Sequence, residues 1–297
     1  MIDEKAGLNM KLKKSATDFS PDRLPKTRKQ LFFDLYKNRF WLITGLGLIL
    51  LLFIAPFVAV YAVGNLKVYE INLKAESGLL ETAEASKTIF GMINARNLAL
   101  IPCAAVFATG FAGVIGIVRR LVWQDGVIFW SDFFRSLKEN SPSLCIIAVI
   151  ISTLNYFLQY LMRSLFFENG FFAQAAICFL MTATVIVCLV TPMFVTQSAV
   201  YNLSFSGKIK NSFMLSMRKP QISFSLLIVN VLPLSALLIP GKYAFLATCA
   251  LLPIFIMPMQ IIINTLCCDS VFDDFINKQN FPEIYKKGLY NAENNDR

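Results

Sequence analysis

The chain has 297 residues, of which 56% are hydrophobic and only 16% charged, with 27 Phe and a mean hydropathy of +0.57. A soluble globular domain carries about 25% charged residues, so the composition excludes that class and makes a membrane protein the default. The net charge of +9 comes from Lys and Arg confined to short segments between apolar runs, the pattern of membrane topology rather than of nucleic-acid binding.

Residues 1–24 form a basic tail. Its first apolar run begins only at Trp41, so no cleavable signal peptide is expected. The tail is either drawn to anionic headgroups, at about 1 kcal/mol per basic residue, or is a topology anchor with no further role. Residues 25–268 are read as the membrane domain and 269–297 as a cytoplasmic tail with a short amphipathic helix.

A bilayer core about 30 Å thick takes about 20 apolar residues of helix. Six runs meet or approach that length: 41–63, 98–118, 143–162, 171–202, 223–239 and 243–267. The fourth is long enough to require tilt or extension beyond the bilayer. The fifth is the shortest, set between Pro220 and the Pro240-Gly241 turn, and pairs with the sixth as a hairpin. Prolines at 56, 102, 192, 233, 253 and 258 fall inside spans and are expected to kink them.

Lys and Arg alternate by side. Residues 1–40, 119–141, 204–219 and the tail hold 22 of the 28, and the intervening loops, 64–97 the longest of them, hold 6. The positive-inside rule then puts both termini in the cytoplasm.

Between the second and third spans lies FWSDFFRSLKEN, residues 129–140. On a helix, Phe129, Trp130, Phe133, Phe134 and Leu137 share one face, and Asp132, Arg135, Ser136, Lys138 and Glu139 take the other. The expectation is an amphipathic helix lying in the plane of the membrane, serving as an interface for lipid or a partner. The design recurs. SFMLSMRK (212–219) aligns at an offset of 80 and QLFFDLYKN (30–38) at 101, each followed by a span, and SVFDDFINKQN (270–280) repeats it after the last. The fold class is therefore all-α: a polytopic bundle of six transmembrane helices, built as three repeats of in-plane helix plus two-span hairpin.

The spans carry no charge away from their ends, which argues against a proton relay or an ion path. Their polar set is uncharged: Asn155, Gln159, Gln197, Tyr201, Asn230, Gln260 and Asn264. These side chains either line a cavity for a neutral polar solute such as a sugar or hold helices together by interhelical hydrogen bonds. On the second span Ala108, Ala112 and Gly116, flanked by Thr109 and Gly113, form a small-residue stripe for close helix packing.

Chemistry has little to work with. The chain has no His, none of the seven Cys forms a C-x-x-C pair, and no paired acids share a helical face within a span. Catalytic, metal and cofactor sites are not expected, and an enzyme acting at the membrane ranks last among the functional readings. Adjacent Cys267 and Cys268 are a weak acylation candidate. The Asn202-Leu203-Ser204 glycosylation pattern falls on the cytoplasmic side and is discarded.

The run DGVIFWSDFFRSLKEN after Arg119-Arg120, with the tail FDDFINKQNFPEIYKKGLYN, resembles the YesL-like family of bacterial membrane proteins, which carry a domain of unknown function. The likeness spans residues 30–290, although the 64–97 loop and the basic tail are longer than the family's compact form. It implies a bacterial plasma-membrane protein that is an accessory component of carbohydrate uptake or utilisation, with no established catalytic residues. The alternative is a transporter or channel-like protein for a neutral polar solute. Expected partners are the lipid bilayer, subunits of a carbohydrate importer and a second copy of the chain. The importer's own permease subunit is not expected, because residues 119–141 lack a Glu-Ala-Ala coupling loop.

Overall fold

The computed structural model describes residues 24–164, 170–238 and 242–290. The basic tail lies outside them except for Leu24, as does the Pro240-Gly241 turn. All regular structure among the described residues is helical. Helix α1 (Arg28–Asn38) opens with a capping box: Thr27 Oγ1 accepts from Gln30 N and Gln30 Oε1 accepts from Thr27 N, both at 3.2 Å. A break at Arg39 separates it from α2 (Phe40–Glu76), which reverses into α3 (Thr82–Val122). Helices α4 (Phe129–Ser164), α5 (Phe171–Val200), α6 (Phe205–Arg218) and α7 (Pro220–Val231) follow, α7 tightening into a 3-10 turn over Leu232–Leu238. Helix α8 (Lys242–Leu251) continues through a π-turn, Leu252–Ile256, into α9 (Met257–Phe272). A second π-turn, Asp273–Asn277, and the short α10 (Lys278–Asn280) follow.

Five helical segments are long and apolar enough to cross a bilayer: α2, α3, α4, α5 and the run Ala247–Asn280. The fifth expected crossing, 223–239, corresponds to a shorter apolar helix over Pro220–Ala236. Pro233 has no N–H for an α-helical bond, and the chain tightens to 3-10 around it.

The long outer loop expected at 64–97 is not a loop. Helix α2 has 37 residues and α3 has 41. At 1.5 Å per residue they are about 55 and 60 Å long, so they extend about 25 and 30 Å past a 30 Å bilayer core. The reversal between them, at Ser77–Glu81, uses Gly78 at φ +72°, a conformation a side chain would strain. Polar residues between two spans suggested a loop, but 15 of the 34 residues are Ala, Glu, Lys or Leu, which are strong helix formers.

The in-plane helix expected at 129–140 needs the same correction. It is the first third of α4, continuous through Pro142 with the span. Its buried face is not the aromatic one either. Asp132, Phe133, Ser136 and Asn140 turn inward, while Trp130 and Phe134 are 60% and 59% exposed. The inward residues seat on the small-residue stripe of α3, where a Cβ at Gly113 would overlap the Phe133 ring and one at Gly116 would overlap Ser136 Oγ. That approach lets Ser136 Oγ donate to Ala112 O at 2.6 Å and Asn140 Nδ2 donate to Ser136 Oγ at 2.9 Å. Arg120 pairs with Asp132 at 3.2 Å, so the acid enters the packed face with its charge compensated.

Both ends of the described chain meet at one end of the bundle, where Tyr290 N donates to Pro25 O at 2.9 Å. We call this the termini end. The larger buried cluster gathers Leu31 and Leu35 of α1, Leu46 and Leu50 of α2, Val114 to Val122 of α3, Phe133 of α4 and Ile262 and Leu266 of α9. By contrast, the most apolar stretch of α4 is only 6% buried, so its span sits at the edge of the bundle facing outward.

Candidate functional site

The seven uncharged polar candidates fall in three separate places. Asn155 and Gln159 lie toward the far end of α4. There Gln159 Oε1 accepts from Asn97 Nδ2 and from Arg163 Nη2, both at 2.9 Å, and its Nε2 donates to Asn155 at 3.2 Å. Arg96 beside them bonds Asn65 and stacks on Tyr61.

In mid-bundle, Asn230 and Asn264 exchange reciprocal amide bonds of 3.2 and 2.9 Å between α7 and α9. Gln260 Nε2 donates to Val229 O at 2.7 Å, a helix carbonyl. These three border a cavity of about 320 Å³ whose other walls are mostly apolar, Phe107, Phe111 and Ile151 among them, with Thr191 and Thr196 also in the lining and the Thr196 hydroxyl without a partner. The amide groups are thus directed at each other and at backbone across the α7–α9 contact.

The third place is at the termini end. Gln197, one turn before the end of α5, and Tyr201, in the link to α6, both line a cleft of about 850 Å³ between α5, α6 and the chain after Phe272. Ser204 caps α6, its Oγ accepting from Gly207 N at 3.3 Å, so the helix folds back beneath α5. Ser212 Oγ then donates to Gln197 Oε1 at 2.8 Å. Gln197 is wholly buried, and its Nε2 has no partner.

The opposite wall is set by the C-terminal segment. Tyr201 OH donates to Asn277 Oδ1 at 2.5 Å, and the ring packs at 5.5 Å on Phe272 and 5.6 Å on Phe281. Burial, with the Asp269 and Asp273 carboxylates nearby, pushes the Tyr201 phenol far above its ordinary range, so it stays protonated and donating. Trp123 closes a third side. Its Nε1 donates to the buried Asp269 at 3.2 Å, while Arg119 and Lys287 sit over the indole at 5.1 and 4.6 Å. At the rim stand Asn202, Asn211, Asn280, Arg218 and Glu283.

Behind this wall runs an ionic latch that sequence reasoning missed. Arg28 of α1 pairs with the buried Asp273 at 2.7 Å and donates to Lys287 O at 3.1 Å. Asp273 also accepts from Asn277 Nδ2 at 2.8 Å and from Lys286 N at 3.1 Å. The partners are separated by some 245 residues of chain, so no local spacing marks them. Lys208 of α6 is also buried, its Nζ bonded to Ser143 at 3.2 Å, and burial lowers its pKa. Cys268 is fully buried, which removes it as an acylation target. Among the described residues no three His, Cys, Asp or Glu side chains are grouped to hold a metal.

The long apolar helices define a multi-pass helical membrane protein, with a polar-rimmed cleft at the termini end among the described residues. No protein-family model, curated protein or solved structure matches this chain.

Proposed function

We propose that the chain is a non-catalytic accessory component of carbohydrate uptake or utilisation in the bacterial plasma membrane. It docks its partners at the termini end, which faces the cytoplasm. The observation that carries this reading over permeation is the fate of the mid-bundle amides: Asn230, Gln260 and Asn264 bond one another and backbone across α7 and α9. A solute path would need polar groups left over to replace water along its length.

The orientation rests on the 22 of 28 basic residues in the segments at that end. Parity supports six crossings. Five long helices with both described ends together require a further crossing, and Pro220–Ala236 supplies it. The threefold repeat is supported by matching burial: Leu31 and Leu35, Asp132 and Ser136, Ser212 and Ser216 occupy the same two aligned positions, and all six are buried. The docking face is the exposed Trp130–Phe134 stack, its rings 6.1 Å apart, with Arg135 and Lys138 exposed beside it. The link to carbohydrate rests on the resemblance of residues 125–140 and of the tail.

A second reading, a transporter for a neutral solute, is favoured by the unpaired Gln197 donor in the cleft. Affinity purification in gentle detergent separates the two. Importer subunits that co-purify with the wild type and are lost with Trp130→Ala/Phe134→Ala support the accessory reading; solute uptake by the chain alone in liposomes supports the transporter.

A further inference from the structure

The 850 Å³ cleft has features that docking on Trp130 and Phe134 does not use. We propose that it is a binding site for a small neutral ring compound that lays an apolar face against Trp123, Tyr201 and Phe281 and offers a hydrogen-bond acceptor to Gln197. The volume lies within the range of small-molecule sites, about 300–1,000 Å³.

The acceptor requirement comes from Gln197. This lining residue is 0% exposed, and the Ser212 hydroxyl fixes its orientation by donating to Oε1, leaving Nε2 without a partner. A buried donor left unbonded costs about 1–3 kcal/mol, so a ligand oxygen or ring nitrogen placed there recovers an interaction the free protein lacks. Aromatic walls match a ring with a C–H or π face.

Neutrality comes from the charges. The lining holds one cation, Arg218, and one anion, Glu283, both exposed at the rim. Arg218 lies 5.3 Å over the Phe275 ring, and the ammonium of Lys219 approaches that ring too, outside the cleft lining. No basic cluster is among the lining residues, Arg119 and Lys287 being stacked on the Trp123 indole outside the lining, whereas amides at Asn202, Asn211 and Asn280 serve hydroxyl or carbonyl edges. Neutral saccharides and neutral nucleosides share this chemistry.

The test is calorimetric titration of the full-length protein in nanodiscs with maltose and uridine, each beside its charged counterpart, glucose 6-phosphate and uridine monophosphate. The cleft should bind at least one neutral probe and bind its phosphorylated counterpart at least tenfold more weakly. Gln197→Met keeps the side chain's length and removes the donor, and should weaken binding about three- to tenfold, the value of one neutral hydrogen bond. Met214→Trp fills the cleft from the exposed side of α6 without touching the core and should abolish binding with an unchanged unfolding midpoint. Binding of whichever neutral probe it proves to be identifies the source. No binding by either, equal binding of the phosphorylated forms, or binding unaffected by Met214→Trp overturns the proposal.

Discussion

At the scale of single residues, the polar groups divide into those that hold helices and those left available. Asn230 and Asn264 are the clearest of the first kind. Their two reciprocal bonds predict energetic coupling in a double-mutant cycle with Leu at each position, of about 0.6 kcal/mol by comparison with other interhelical pairs. Unfolding measured in nanodiscs gives the cycle, and strictly additive losses would mean the pair is not formed. Asp273 is more demanding. Asp273→Ala leaves Arg28, 16% exposed, without its partner and removes acceptors from Asn277 and Lys286. A loss of about 3 kcal/mol is expected, since breaking a buried pair strands a charge. An unchanged midpoint would show the latch to be unimportant. Part of the candidate site was visible in the sequence, because Gln197 and Tyr201 stand four residues apart at the end of an apolar run. The wall facing them was not visible, because Trp123, Phe275 and Phe281 come from distant segments and only tertiary folding assembles them.

At the scale of elements, the α3–α4 contact depends on two glycines rather than on apolar area. Gly116→Val should cost about 1–3 kcal/mol by pushing Ser136 off its bond to Ala112. Gly91→Val on the same helix, where a side chain meets nothing within 4 Å, is the matched control. Equal effects at the two sites would rule out the close approach. The hairpin of α2 and α3, which the proposed topology puts outside, makes a different prediction. Cysteines at Leu66, Tyr69 and Leu73, all exposed, should react with an impermeant thiol reagent from outside, while one at the buried Ile71 should not. Uniform labelling would indicate a loop, and labelling only after permeabilisation would reverse the topology. The apolar runs made the spans legible, since about 20 such residues have few other uses. Charge misled in two places. Residues 64–97 are helical despite their polarity because helix formers and internal hydrogen bonds suffice outside the bilayer. In residues 129–140 the amphipathic wheel set Asp132 and Ser136 on the outer face, but Arg120 and the Ala112 carbonyl satisfy them within the bundle.

At the scale of the whole molecule, most of the buried polar residues gather at the termini end. There α1, the start of α4, α6 and the C-terminal segment lock together, while the spans of α4 and the first half of α5 remain open to lipid. A polar-rimmed end joined to sparsely buried spans is what the proposed accessory role would use. The most direct test is affinity purification from native membranes in gentle detergent, followed by mass spectrometry, with wild type and Trp130→Ala/Phe134→Ala in parallel. The account predicts that subunits of a carbohydrate importer accompany the wild type and are lost from the double variant. A lone homo-oligomer in both preparations would contradict it.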